Sequence, residues 1–158
     1  MMRILFVCTG NTCRSPMAAA IAKKVAADRG LTDIEIGSAG TTAWDGQPAT
    51  DGALLVGMER QLDVGAHRSR TLTREMIDTH DLILAMGVHH RDSAEALGGA
   101  GKTFLLTTYA SHGAEERSVP DPFGADLETY RATADELEDA IRRVVDRLAA
   151  ERTPPDLP

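Results

Sequence analysis

The sequence has few aromatic residues and no long apolar run. Phe, Trp and Tyr together make up 4% of its 158 residues. No stretch approaches the roughly 20 consecutive apolar residues that a membrane-spanning helix needs. The apolar run that follows Met1 to Arg3 is too short for a secretory signal peptide. These absences predict a cytoplasmic protein that has no membrane partner.

Positive charge is also in short supply. The chain has 17 Lys and Arg residues against 24 Asp and Glu, which gives a formal net charge of −7. A surface of that sign repels the phosphate backbone of nucleic acids and anionic lipids. We therefore expect no nucleic-acid partner, although a local positive pocket is compatible with this balance.

Cysteine is almost absent, and the two cysteines lie close together. Cys8 and Cys13 fall in one segment, which excludes the disulfide framework of a small secreted protein. A chain of this length buries about two thirds of its unfolded surface, so one hydrophobic core needs no disulfide. We expect a single domain over residues 1–152 and a flexible tail at 153–158, which contains three prolines.

Short apolar runs alternate with segments of helical period. The apolar runs predict strands at about 3–7, 34–36, 82–86 and 103–106, and the periodic segments predict helices at about 16–28, 51–61, 72–77, 87–97 and 130–148. In the second helix, Leu54, Leu55 and Met58 are spaced to form one apolar face. Strands separated by helices imply a parallel sheet, whose ligands bind beyond the carboxyl ends of the strands.

The segment between the first predicted strand and helix has the features of an anion site. It reads Cys8-Thr9-Gly10-Asn11-Thr12-Cys13-Arg14-Ser15-Pro16. Backbone N–H groups in a tight loop at a helix N-terminus bind oxyanions, and the Arg14 guanidinium can hold two phosphate oxygens. Ser15 is the expected N-cap. The same positive field is expected to lower the pKa of the Cys8 thiol, which predicts a thiolate nucleophile inside a phosphate-binding loop.

Displacing a poor leaving group from phosphorus also needs a proton donor, and Asp121 can supply it. Pro120 and Pro122 restrict its backbone, and Phe123 adds an apolar neighbour. The alternative is that this segment is only a turn. Two histidines elsewhere, His89 and His90, are predicted to be solvent-exposed, because adjacent helical positions do not share a face for metal binding.

Taken together, these residues resemble the low-molecular-weight protein tyrosine phosphatase family. The resemblance runs from about Arg3 to Leu148, with the Cys8 loop near the start and Asp121-Pro122 near the end. It implies an α/β fold with a four-stranded parallel sheet and helices on both faces. It also implies a phosphocysteine intermediate, phosphorylated protein substrates, and neither cofactor nor metal. The oligomeric state stays open.

The resemblance assigns roles to individual residues. It implies that Cys8 is the nucleophile, that Arg14 binds the phosphoryl group, and that Asp121 protonates the leaving group and then activates water. The substrate-binding set that it implies is Thr9, Gly10, Asn11, Thr12, Cys13, Ser15, Trp44 and Phe123. The set that it implies to brace the loop by hydrogen bonds is Asn11, Ser15, Ser38 and His67.

Thr12 bears on the choice of substrate. Members of the family that act on phosphotyrosine commonly have an aliphatic residue here, whereas protein-arginine phosphatases resemble this chain in having threonine. A hydroxyl at the rim suits a polar guanidine better than an apolar ring. The single aromatic after Pro122 also resembles the arginine-specific branch. One departure is that Thr41 and Thr42 follow Ser-Ala-Gly where that branch tends to have an aromatic.

The sequence therefore predicts a phosphatase for phosphoarginine, with phosphotyrosine as the alternative. Arsenate reduction on the same scaffold normally needs further cysteines, and none follows Cys13. A non-catalytic phosphopeptide-binding module would need neither Cys8 nor Asp121.

Overall fold

The protein has an α/β architecture built on one parallel sheet, as the computed structural model shows for residues 1–152. The strands are β1 Met2–Cys8, β2 Ile34–Gly40, β3 Leu82–Ala85 and β4 Thr103–Leu105, in the spatial order β2-β1-β3-β4. The helices are α1 Arg14–Asp28, α2 Asp51–Glu59, α3 Arg74–Thr79, α4 Val88–Ala94, α5 Leu106–Ala110 and α6 Leu127–Arg152. The predicted tail at 153–158 lies outside the described residues.

Each face of the sheet is covered by helices, because the central strand alternates its side chains between two apolar layers. Ile4 and Phe6 pack in the larger layer with α1 and α6, whereas Leu5 and Val7 pack in the smaller one with α3 and α4. The predicted four-stranded parallel sheet with helices on both faces is therefore confirmed.

The last helix follows its predicted period closely. Apolar side chains that recur every three or four residues along it are buried: Tyr130, Ala134, Leu137, Ile141, Val144 and Leu148. Its other face carries ion pairs such as Arg142 with Glu138. Over residues 1–152, no helix is both long enough and apolar enough to cross a membrane.

The prediction for the buried face of α2 was wrong in part, since Leu54 packs against the core but Leu55 and Met58 do not. Leu55 and Met58 are 48% and 77% exposed, and the buried residues of this helix are Ala53, Val56 and Gly57. The small side chains allow the helix to approach its neighbours closely: a Cβ on Gly57 would lie 2.8 Å from the Val64 side chain. The face of α2 that packs closely against its neighbours therefore has small side chains, and Leu55 and Met58 lie at the surface.

The prediction for the segment after β4 was also wrong in part. No helix was predicted between the fourth strand and the last helix, but α5 forms directly after β4, and Leu106 belongs to this helix instead of the strand. The helix is only five residues long, too short for a periodic signal. The predicted helix at 87–97 is α4 followed by a π-helical turn, Glu95–Gly99.

At the carboxyl ends of the strands, the loop that begins at Cys8 comes close to the segment that carries Asp121. Cys8 lies opposite Gly40 in the parallel register of β1 and β2. Beyond β3, the N–H of Met86 donates to the carbonyl oxygen of Val7 (3.0 Å), and the N–H of Val119 donates to that of Met86 (2.8 Å). This extension ties the segment that carries Asp121 to the strand that carries Cys8.

The contact between α2 and α6 gives a test of the packing. A Cβ on Gly52 would lie 2.4 Å from the ring of Tyr130, so we expect Gly52→Ala to lower the free energy of unfolding by about 1–3 kcal/mol through overpacking. Gly65→Ala is the control, because nothing lies within 4 Å of a Cβ at that position, and it should change stability by less than about 0.5 kcal/mol. Chemical denaturation measures both, and equal stabilities would contradict the close approach.

Candidate active site

A cavity of about 210 Å³ opens at the carboxyl end of β1. The residues that line it are Cys8, Thr9, Gly10, Thr12, Cys13, Arg14, Asp121 and Phe123. The fold thus joins the predicted phosphate loop to an acid more than one hundred positions later. The structure does not place Trp44 on this cavity. The side chain of Trp44 is 81% exposed, and its carbonyl oxygen accepts a hydrogen bond from the Ser69 hydroxyl.

Asn11 lies behind the cavity and holds the loop in shape. It is fully buried and has a φ of 57°, in the left-handed region. Its Nδ2 donates to Ser15 Oγ (2.7 Å) and Ser38 Oγ (3.0 Å), and its Oδ1 accepts from the N–H of Arg70 (2.9 Å). Both protons and the oxygen of the carboxamide are therefore engaged, which stabilises a backbone conformation that non-glycine residues seldom adopt.

His67 supports the same residue from outside. Its Nε2 lies 2.6 Å from the carbonyl oxygen of Asn11, so the ring nitrogen donates. Burial lowers the pKa of His67, and the charges of Lys23, Arg68 and Arg70 lower it further. The imidazole is therefore neutral near pH 7, and its proton lies on Nε2.

The Cys8 thiol lies at the floor of the cavity and is almost fully buried. Its Sγ is 2.9 Å from Ser15 Oγ. That oxygen also accepts from Asn11, and once Cys8 is a thiolate the Ser15 hydroxyl is the group that donates in this hydrogen bond. Ser15 was predicted to be the N-cap of α1, but the helix begins at Arg14 and its N-cap is Cys13.

The pKa of Cys8 is the reverse of the prediction. Burial raises it above the ordinary value for a thiol, although the hydrogen bond from Ser15 and the charge of Arg14 both act to lower it. The sequence indicated the groups that favour the thiolate but not how far the sulfur is removed from water. The nucleophile therefore carries its proton at rest near pH 7.

Arg14 extends along the cavity and approaches the acid. Its Nη1 donates to the carbonyl oxygen of Val119 (2.8 Å), and its Nη2 lies 3.6 Å from Asp121 Oδ2. Within residues 1–152, its buried Nε has no hydrogen-bond partner. A buried guanidinium N–H that lacks a partner indicates a missing acceptor, and a phosphate oxygen in the cavity is suited to that position. Asp121 is half exposed and accepts from the N–H of Phe123 (3.1 Å).

The opposite side of the loop is held by a tyrosine from α6. Cys13 Sγ lies 3.4 Å from the hydroxyl of Tyr130 and 3.5 Å from that of Thr50, and these hydroxyls are 3.0 Å apart. Burial and the contact with Cys13 raise the pKa of Tyr130 to about 12, so it stays protonated. The N–H of Thr50 donates to the carbonyl oxygen of Thr12 (2.9 Å).

Several residues near the loop were missed by the sequence reasoning. A Cβ on Gly40 would lie 2.4 Å from the carbonyl oxygen of Thr9, so only glycine allows the loop to lie against β2. Its position at the end of a strand was a possible signal. His90, predicted to be exposed, is only 6% exposed and contacts Thr9; no pattern around it indicated this.

Among the described residues, no three His, Cys, Asp or Glu side chains form a group that could hold a metal.

Comparisons with known proteins agree with this geometry. The family described as low molecular weight phosphotyrosine protein phosphatase matches residues 3–153. The chain is 43% identical to a protein-arginine-phosphatase of Geobacillus stearothermophilus, over 95% of this chain and 98% of that protein. It is 39% identical to the low molecular weight protein-tyrosine-phosphatase PtpB of Staphylococcus haemolyticus, over 86% and 92%. The YwlE arginine phosphatase, solved as a cysteine-to-serine mutant with a phosphorylated active-site serine, has a TM-score of 0.90 at 38% identity and covers 96% and 98% of the two chains.

The hydrogen bond between Ser15 and Cys8 gives a prediction about pH. Since this bond lowers the pKa of Cys8, Ser15→Ala should raise that pKa further. The midpoint of Cys8 alkylation by iodoacetamide should then move to higher pH. Ser38→Ala is the matched control, because it also removes a partner of Asn11 but does not touch the sulfur. Fragment mass spectrometry of the labelled loop assigns the label to Cys8, and an unchanged midpoint in Ser15→Ala would refute the assignment.

Proposed function

The chain belongs to the low-molecular-weight phosphotyrosine protein phosphatase family, and we propose that its substrate is phosphoarginine in proteins. It is a protein phosphatase that works through a phosphocysteine intermediate. The Thr12 hydroxyl supports the choice of substrate most directly. Within residues 1–152 this half-buried group makes only a long contact, 4.0 Å to Cys13 Sγ, while its residue lines the cavity. It is free to bind a polar leaving group.

In the first step that we propose, the Cys8 thiol passes its proton to a phosphoryl oxygen of the bound substrate, and its Sγ attacks phosphorus. The N–H groups of the loop and the guanidinium of Arg14 bind the phosphoryl oxygens, on which negative charge is concentrated. The S–P bond forms as the P–N bond to the substrate guanidine breaks. Asp121, on the cavity wall beside Arg14, gives its proton to the departing nitrogen, because an unprotonated guanidine leaves poorly. Free arginine side chain and phosphocysteine result.

In the second step, water attacks the phosphocysteine. Asp121, now a carboxylate, accepts a proton from that water, the P–O bond forms and the S–P bond breaks. The sulfur leaves as a thiolate. The Ser15 hydroxyl, whose oxygen lies 2.9 Å from Sγ, stabilises this anion by donating a hydrogen bond. Inorganic phosphate returns a proton to the sulfur as it leaves the cavity, so that Cys8 and Asp121 again carry the protons with which they began.

Phosphotyrosine is the second candidate, and the rim of the cavity favours it. Phe123 lines the cavity and is 70% exposed, so its ring can stack against that of a phenyl phosphate. The relative from Staphylococcus haemolyticus is described as a tyrosine phosphatase. The two substrates differ in what they present beside the phosphoryl group, and Thr12 and Phe123 are the residues positioned to distinguish them.

The acid is tested by its dependence on the leaving group. We expect Asp121→Ala to lower kcat/KM by about 100-fold or more for phosphoarginine, and by less for p-nitrophenyl phosphate, whose leaving group departs without a proton. Glu115→Ala, an exposed carboxylate in the same connection, should leave both rates unchanged. An equal loss on both substrates would show that Asp121 does not protonate the leaving group.

The substrate is tested by direct comparison of two phosphorylated amino acids in the same peptide. The wild-type enzyme should have a higher kcat/KM for the phosphoarginine peptide than for the phosphotyrosine peptide. Thr12→Ile should lower that ratio by about tenfold or more, because it replaces a hydrogen-bonding wall with an apolar one. Thr32→Ile, a remote exposed threonine, is the control. An unchanged ratio in Thr12→Ile would remove the main support for phosphoarginine.

A further inference from the structure

His90 is a buried side chain next to the cavity that the mechanism above does not use. It lies in the first turn of α4, and its Nε2 is 2.7 Å from the hydroxyl oxygen of Thr9. Thr9 follows the nucleophile directly and lines the cavity. The contact joins positions 81 residues apart in the sequence. One polar side chain of the phosphate loop is therefore held by a helix that carries none of the catalytic groups.

The ring of His90 is neutral. Burial lowers its pKa to about 4, and the charges of Arg14 and His89 act in the same direction, while that of Asp121 opposes them. A neutral imidazole has one N–H group and one acceptor nitrogen. The hydrogen bond to Thr9 involves Nε2, and within residues 1–152 the buried Nδ1 has no partner.

The unpartnered Nδ1 indicates which nitrogen carries the proton. A buried N–H group without an acceptor is rarer than a buried acceptor without a donor. The proton is therefore on Nε2, and His90 donates to Thr9. The hydroxyl oxygen of Thr9 accepts this bond, so its own proton remains available to another acceptor. In the cavity that Thr9 lines, the acceptors brought by a substrate are phosphoryl oxygens.

We propose that His90 is a positioning residue that holds the Thr9 hydroxyl so that it donates a hydrogen bond to a phosphoryl oxygen of the substrate. The inference rests on the proposed function and adds a side-chain donor to the backbone N–H groups and Arg14. A hydrogen bond to a charged acceptor is stronger than one between neutral groups. The strength of this hydrogen bond depends on where the hydroxyl proton points. Without a partner such as His90, the Thr9 hydroxyl could rotate and that direction would not be fixed.

His90 packs close to Gly87, the residue that precedes its helix. A Cβ on Gly87 would lie 3.4 Å from His90 Nδ1 and 3.1 Å from Ser118 Oγ. Ser118 precedes Val119, whose carbonyl oxygen accepts from Arg14. The imidazole therefore lies close to the backbone of Gly87 on one side and contacts the hydroxyl of Thr9 on another.

Three substitutions separate this role from simple packing. His90→Met removes the hydrogen bond and keeps an apolar side chain of similar length. His90→Gln places an amide near the position of Nε2 and can still donate to Thr9. Thr9→Val removes the hydroxyl from the loop side. His89→Gln is the matched control, since His89 is adjacent but exposed.

The measurements are kcat and KM for p-nitrophenyl phosphate, the inhibition constant of inorganic phosphate, and the thermal midpoint of each full-length protein. We expect His90→Met and Thr9→Val each to raise the inhibition constant by about tenfold. The double variant should be no worse than either single one, because both remove the same donor. His90→Gln should stay within about twofold of the wild type, and His89→Gln should match it.

Three results would overturn the proposal. These are an unchanged inhibition constant in His90→Met, a loss in His90→Gln as large as in His90→Met, and additive losses in the double variant. If His90→Met does not fold, Thr9→Val and His90→Gln decide the question through the same constant. A wild-type enzyme that hydrolyses no p-nitrophenyl phosphate would refute the proposed function, whereas an active wild type with unaffected variants would refute only the role of His90.

Discussion

The hydrogen bonds of one buried carboxamide shape the phosphate loop. Asn11 lies in the left-handed region without being glycine, a conformation that is unfavourable unless the surroundings fix it. Its side chain engages Ser15, Ser38 and the backbone of Arg70 in a single arrangement. That arrangement turns the backbone of the loop around the cavity, and it also holds the Ser15 hydroxyl beside the nucleophile. The shape of the loop and the hydrogen bond between Ser15 and the nucleophile therefore have a common origin.

The loop residues that line the cavity could be predicted from the sequence, because they are close together in it. Cys8, Arg14 and the residues between them occupy one loop and the first turn of one helix, and the strand before them was evident from its apolar residues. The two prolines beside Asp121 left a simple turn as the alternative, and the structure shows only that Asp121 lines the same cavity as the loop. The sheet and its two layers followed from the alternation of short apolar runs with periodic segments.

The support behind the loop could not be predicted in the same way. The bonds from Asn11 to Ser38 and Arg70 join positions 27 and 59 residues apart, and the bond from His67 joins positions 56 apart. The sequence does not encode such pairs as a spacing, so only the resemblance suggested Ser38 and His67. For Arg70, Gly40 and His90 even that was missing. The orientation of α2 was missed for a related reason, since the closest approach is made by residues without large side chains.

Burial raises the pKa of Cys8, and the one positive charge beside it does not offset that effect. Arg14 is the one basic side chain among the residues that line the cavity, and Asp121 is the one acidic side chain. His67 and His90 stand next to the loop as neutral rings, because burial and neighbouring positive charges lower their pKa values. One guanidinium cannot balance both a thiolate and a phosphate dianion in a site removed from water. A thiol that keeps its proton at rest therefore leaves the charge of Arg14 available to the phosphoryl group. The thiolate is then needed only as the S–P bond forms, and the Ser15 hydroxyl lies where it stabilises that anion.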